Sequence, residues 1–258
     1  MAKIITIANQ KGGVGKTTTA HALATGLKLL HKKLRILTID LDAQGSLSFA
    51  YGAETEKAPT IYDALKNQME TKDSKIKEII QKLPQGDIIP GDLRLSGADL
   101  EFNKTGREYL LKETLETITN DYDYIIIDTP PSLGILTVMA FTASNEVLIP
   151  IGADILSYRG LGQLNESMSS VIKYSNKELK ISGILITQHN AKTNLGKGME
   201  EKIQRAAAML DTKLFKTHIK NITAVKEAQF NQKSLFEYSP TSIATNNYRD
   251  FIQEYLKG

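Results

Sequence analysis

An apolar run at residues 4–8 leads straight into Lys11-Gly12-Gly13-Val14-Gly15-Lys16-Thr17-Thr18. A buried strand, a glycine-rich turn and a helix-forming segment, in that order, point to an α/β architecture that opens on a phosphate-binding loop. Gly15-Lys16-Thr17 supplies the end of the pattern G-x-x-x-x-G-K-[ST], while Gln10 stands where its first glycine belongs. Two adjacent glycines preceded by Lys11 take that place.

The chemistry explains the residue types. Phosphate oxygens need backbone N–H donors at close range, and Gly12, Gly13 and Gly15 remove side chains that would obstruct them around Val14. A helix beginning near Gly15 adds the positive end of its dipole. Lys16 is expected to reach the β- and γ-phosphates, Thr17 to ligate Mg²⁺ through its hydroxyl, and Thr18 to meet the α-phosphate. A ligand-free glycine turn is the alternative for the run as a whole. Lys11, taken alone, reads as an ordinary solvated lysine.

Two further apolar runs end in carboxylates, Ile36-Leu37-Thr38-Ile39-Asp40-Leu41-Asp42 and Tyr124-Ile125-Ile126-Ile127-Asp128. In an open α/β sheet, ligands gather at the carboxyl ends of the strands. Asp128 therefore fits the acid that holds Mg²⁺ beside a phosphate loop, or else a turn or cap residue. Asp40 and Asp42 share one loop and are open to the same pair of readings.

Apolar runs alternate with helical patterns along the chain. Strands are expected at 3–8, 35–40, 87–90, 124–128, 147–150, 181–187 and 213–217, and helices at 17–30, 107–119, 161–174 and 198–210. Continuous runs such as Ile125-Ile126-Ile127 suit strands covered on both faces. The expected fold is a doubly wound, mostly parallel sheet flanked by helices, of the P-loop NTPase type, with residues 1–258 forming one domain. The stretch 53–84 has no clear strand and is expected to form peripheral helices.

With no cysteine in 258 residues, disulfides, thiolate nucleophiles and cysteine-held iron–sulfur clusters are excluded. No leader or membrane-length apolar stretch is visible, so a cytoplasmic location is expected. Net charge is +3, yet residues 192–233 carry nine Lys or Arg against four acids. That excess is either a nucleic-acid footprint or a solvated helical face.

The loop with its early lysine resembles the deviant Walker A motif of the ParA/MinD ATPase family. The likeness extends to Asp40-Leu41-Asp42-Ala43-Gln44-Gly45, with Ala43 where proline is usual, and to Asp128-Thr129-Pro130-Pro131-Ser132. It continues through Ile89-Pro90-Gly91, through Val147-Leu148-Ile149-Pro150 followed by Arg159-Gly160-Leu161, and through Tyr238-Ser239-Pro240. It is similar to the short ParA type of partition ATPase, which lacks an N-terminal helix-turn-helix domain. The resemblance implies an ATP- and Mg²⁺-dependent ATPase, slow and stimulated by a ParB-like centromere-binding protein. It implies a homodimer when ATP-bound, in which Lys11 crosses to the partner's nucleotide. Asp42 would position the attacking water, Asp40 would lie near the Mg²⁺ shell, and Asn190 and Ile219–Lys220 lie in the segments that would serve the adenine.

ATP-bound dimers of this type bind double-stranded DNA without sequence preference, which implies a nucleoid association. The family's DNA-binding arginines correspond here to Lys192 and Lys220; Lys197, Lys226 and Lys233 are further candidates. A MinD-like membrane ATPase would need a basic amphipathic C-terminal helix, but residues 248–257 mix acids with bases. Gln10 also points away from that branch, and the missing cysteines exclude a nitrogenase-iron-protein-like reductase. A low-turnover nucleotide-switch scaffold is the remaining alternative.

Overall fold

A computed structural model describes residues 1–189 and 194–258, with the backbone alone at 194–197. The strands are β1 (Lys3–Ile7), β2 (Ile36–Asp40), β3 (Gln81–Leu83), β4 (Gly86–Ile89), β5 (Tyr124–Asp128), β6 (Glu146–Gly152) and β7 (Lys180–Thr187). They form a sheet in the order β3-β4-β2-β5-β1-β6-β7, parallel throughout except for the antiparallel edge pair β3–β4. The helices are α1 (Lys16–Leu30), α2 (Ser46–Tyr51), α3 (Ile61–Thr71), α4 (Ala98–Glu101), α5 (Leu110–Leu115), α6 (Ile135–Ala143), α7 (Ile155–Tyr174), α8 (Asn194–Met209), α9 (Thr223–Phe230), α10 (Leu235–Tyr238) and α11 (Ile243–Leu256).

Alternating side chains of one strand serve opposite layers. Ile125 and Ile127 of β5 pack with Leu65 of α3, Leu111 of α5 and Met139 of α6. Ile126, between them, packs with Leu23 and Leu27 of α1 and with Phe251 and Ile252 of α11. All three isoleucines are fully buried, as a sheet covered on both faces requires. Register then builds the site: Ile7 and Asp40 both pair with Asp128, so three strand ends lie level at the carboxyl edge.

Two expectations need correction. Residues 213–217 form no strand. Leu214 makes an isolated bridge to Ile184, and the amides of Lys216 and Thr217 donate to the Glu254 carboxylate of α11 instead of to a neighbouring strand. The stretch 53–84 does contain a strand: β3 turns back on β4 through Pro84-Gln85, and its exposed Lys82 suits a sheet edge. Helix bounds also shift, α8 among them, which begins at Asn194. α7 starts earlier than expected because the Asp154 carboxylate accepts from the Leu156 and Ser157 amides and caps it. The 107–119 pattern opens as a 3₁₀ turn before α5.

His21 ties α1 to its surroundings. Its Nε2 lies 2.7 Å from Gln85 Oε1. Gln85 Nε2 donates to the carbonyls of Ala50 and Gln232, so Oε1 is the acceptor and His21 donates. Burial pushes the imidazole down to about 4, partly opposed by the Gln85 bond. A histidine held neutral in the fold but free to protonate when unfolded contributes stability that is full above about pH 6.5 and lost as pH falls towards 4. Urea unfolding at pH 7 and pH 5 is expected to show wild type losing on the order of 2 kcal/mol from this source. His21→Gln should show a correspondingly smaller loss; equal losses in both proteins would remove this assignment.

Candidate functional site

The loop after β1 is shaped by glycine and held from the β7 side. Gly13 and Gly15 take φ of +75° and +82°, a left-handed conformation that strains any residue with a Cβ. Gly15 precedes α1 with no side-chain cap, which leaves the first amides of that helix for an anion. Thr187 Oγ1 donates to the Val14 carbonyl at 2.7 Å, and Gln188 Nε2 donates to the Gly13 carbonyl. Asn9 fastens the start of the loop, accepting from the Lys11 amide at 2.9 Å and donating to the Pro150 carbonyl at 2.8 Å. The loop is therefore built before any ligand arrives, which lowers the ordering cost of binding.

Buried charge gathers behind it. Lys16 is only 7% exposed, and its Nζ donates to the Lys11 carbonyl at 3.2 Å. Burial pushes the Lys16 ammonium down from its ordinary range, while Asp128 and Asp42 push it back up. Thr17 Oγ1 donates to Asp128 Oδ2 at 2.6 Å. Asp128 Oδ1 is fully buried and has no hydrogen-bond partner among the described residues. Burial and the neighbouring Asp40 raise the Asp128 carboxyl well above the carboxylate range, against the Thr17 bond and Lys16. An orphaned buried carboxylate oxygen is costly unless something positive faces it, and a divalent cation fits that need.

Asp40, expected near the Mg²⁺ shell, is bonded to the segment that follows it. Oδ2 accepts from the Ser48 amide and hydroxyl at 2.8 and 2.7 Å, and Oδ1 accepts from the Asp42 amide at 3.1 Å. Both oxygens are engaged, so the carboxylate anchors the start of α2 and the backbone of Asp42. Burial raises it to about 6, with the Ser48 bonds opposing. Ser48 Oγ also accepts from the Gly91 amide, which joins the loop after β4 to the loop after β2. Asp42 itself faces the cavity, and its Oδ1 accepts from the Gln44 amide.

Lys11 does not lie over its own loop. Its Nζ donates to Asp154 Oδ1 at 2.8 Å, just before α7. The pair, with the Ser157 bonds, lowers the Asp154 carboxyl to about 2 against its partial burial.

A cavity of about 340 Å³ opens over Gly12, Gly13, Gly15, Lys16, Thr17 and Thr18. Its far wall comes from distant sequence: Thr187, Gln188, Ile219, Lys220, Asn221, Ile222, Lys226, Gln229 and Tyr248. Gln229 Nε2 donates to Thr18 Oγ1 at 3.1 Å, closing α9 onto α1. Lys220 and Lys226, expected on a DNA surface, thus line the mouth of this cavity. Lys233 lies apart on an exposed ion pair with Glu237. Asn190 and Lys192 fall outside the described residues, as does the side chain of Lys197.

A family profile described as AAA domain matches residues 2–181. The sporulation initiation inhibitor protein Soj of Bacillus subtilis is 38% identical over 98% of each chain. The chain belongs to the ParA/Soj family of partition ATPases. A crystal structure of cobyrinic acid a,c-diamide synthase from Mycobacterium smegmatis with bound ATP analog and magnesium is 29% identical, with a TM-score of 0.81, covering 100% of this chain and 95% of that one. A Cyanothece McdA variant in complex with ATP gives 0.84 at 26% identity, covering 99% and 96%. This ParA/Soj ATPase is thus a P-loop enzyme that works on ATP with Mg²⁺. Asp128 Oδ1 and the Thr17 hydroxyl supply hard oxygen donors of the kind that ion takes.

Proposed function

We propose that the whole chain acts as one nucleotide-gated clamp on DNA. ATP enters the cavity with its phosphates on the amides of residues 12–18, and Thr17 and Asp128 hold Mg²⁺, which neutralises phosphate charge. Two subunits close face to face over two nucleotides. Lys11 leaves Asp154 and reaches the partner's phosphates. The observation that carries the dimer reading is Lys11 itself: Lys16 already serves this loop, while the second ammonium rests 2.8 Å from a partly exposed carboxylate. Such a pair stabilises by about 1 kcal/mol or less, so exchanging it for a triphosphate is favourable.

Asp42 orients the water that attacks the γ-phosphate, while Lys11 and Lys16 stabilise the charge that develops. Asp40 keeps the Asp42 backbone in place. Loss of the γ-phosphate releases the segments 40–45 and 128–132, the clamp opens and DNA is let go. A ParB-like protein speeds the step. The basic segment after β7 supplies the DNA face, with Lys192, Lys197 and Lys220 the first candidates, and doubling that face in the dimer raises affinity through bivalency. We assign Lys226 to the nucleotide, since it lines the cavity. A membrane role has little support: α11 buries Tyr248, Phe251, Ile252 and Tyr255 in the core, so its apolar face is already used. Action in the cytoplasm on the nucleoid follows from the same reading.

Lys192→Glu with Lys220→Glu tests the DNA face. ATP-dependent dimerisation by light scattering is expected to persist, while DNA affinity falls at least about 10-fold and the salt slope shrinks by up to roughly 4, two lysines being lost from each subunit of the dimer. ATP affinity is measured alongside, because Lys220 lines the cavity. Unchanged DNA affinity and slope would remove this segment from the DNA surface.

A further inference from the structure

Beside the nucleotide cavity, two imidazoles and a carboxylate converge from three segments. His189 follows β7, Glu200 lies on α8, and His218 precedes α9. Glu200 Oε2 lies 4.0 Å from His189 Nε2, and Oε1 lies 3.6 Å from His218 Nε2. The two rings meet edge to face with centroids 4.6 Å apart. One ligand atom from each residue lies within 4.8 Å of the other two. Backbone bonds fix the two histidines relative to each other: the His189 amide donates to the Ile219 carbonyl at 2.9 Å, and His189 pairs with Lys220 in a parallel bridge. All three side chains are partly buried, with Glu200 the most open at 39%.

Two imidazoles with one carboxylate make a donor set suited to a divalent transition ion. Ligands about 2.0–2.1 Å from a tetrahedral zinc stand roughly 3.3–3.4 Å apart. The two Glu200 separations of 3.6 and 4.0 Å approach that value, and with all three ligand atoms within 4.8 Å of one another, side-chain rotations bring the set together. We propose that His189, Glu200 and His218 form a binding site for Zn²⁺, with water completing the coordination. Mg²⁺ is a poor match, because it prefers an all-oxygen shell. The site has a structural consequence. His189 adjoins Gln188, and His218 adjoins Ile219 and Lys220, all of which line the nucleotide cavity. Zinc would cross-link α8 to that wall of the cavity. The site stands on its own geometry and does not depend on the DNA-clamp reading.

The test uses the full chain, freed of any histidine tag, stripped with chelator and without nucleotide. Zn²⁺ is titrated against a chromophoric chelator, and bound metal is measured by mass spectrometry after gel filtration. One equivalent per chain is expected. His189→Ala with His218→Ala should lower affinity at least about 100-fold, and the more conservative Glu200→Gln on an open helix face about 10-fold or more. Co²⁺ added to the unaltered protein should give the visible d–d absorption of a four- or five-coordinate site, a readout that needs no variant. Zinc binding that is absent in wild type, or equal in wild type and both variants, overturns the proposal. So does a Co²⁺ spectrum of the hydrated octahedral ion.

Discussion

Lys16→Ala is expected to reduce ATP affinity by about 10- to 100-fold and hydrolysis by a further 10²-fold or more, the range for losing a charge-assisted phosphate contact and a preorganised cation. Two effects add. The ammonium meets the β- and γ-phosphates, and it also balances the acids behind the loop. Lys16 is almost wholly buried beside Asp128 and Asp42, and its charge opposes the upward shift of the Asp128 carboxyl. Without it, the buried carboxylates repel an incoming triphosphate more strongly. Equilibrium binding of a fluorescent ATP analogue, with and without Mg²⁺, measures the first effect, and single-turnover phosphate release measures the second. ATP-dependent DNA binding should vanish with them. Unchanged ATP affinity would mean that the cavity over Gly12 and Thr18 is not where the triphosphate binds.

Asp42→Ala is expected to separate binding from turnover. Asp42 faces the cavity, and among the described residues its side chain bonds only locally, to the Gln44 amide. ATP should therefore bind within about 3-fold of wild type, because no direct phosphate donor is lost and a nearby negative charge is removed. Hydrolysis should fall by about 10²–10⁴-fold, the usual contribution of a positioned acid–base group. The dimer would then persist on DNA for the lifetime of bound ATP, and dissociation after a chase with competitor DNA should slow in proportion. Asp40→Ala should behave differently. It empties a buried site that holds Ser48 and the Asp42 amide, so a loss of stability should accompany the loss of turnover. Normal phosphate release by Asp42→Ala would strip that residue of its role.

What the sequence made legible followed from how local each feature is. The phosphate loop is contiguous, and its glycines, lysine and threonine are each required by a phosphate within one turn of helix. Asp40, Asp42 and Asp128 were readable because an acid ending an apolar strand has a fixed position once the sheet is parallel. Most of the far wall of the cavity was not readable. Gln188, Gln229 and Tyr248 arrive from elements more than 160 residues downstream of the loop, and no short pattern announces them. The resting place of Lys11 was hidden for the same reason, since Asp154 lies 143 residues away. Charge counting did not show that Lys220 and Lys226 also line the cavity, because composition does not distinguish a basic surface from the rim of a phosphate-binding cavity. The strand expected at 213–217 pairs with β7 only through Lys213 and Phe215, and the next two amides, of Lys216 and Thr217, go to the Glu254 carboxylate. The small edge strand β3 was missed because three residues, two half-buried and one exposed, carry almost no periodic signal.

The most direct measurement is the anisotropy of a labelled, arbitrary DNA duplex titrated with the wild-type chain under ATP·Mg²⁺ and under ADP·Mg²⁺, at about 50 and about 200 mM salt. Tight binding is expected with ATP alone, concurrent with dimer formation, and weakening by orders of magnitude at the higher salt as phosphate counterions reassert themselves. Equal binding with ATP and ADP, or binding by a monomer, would contradict a clamp gated by the γ-phosphate.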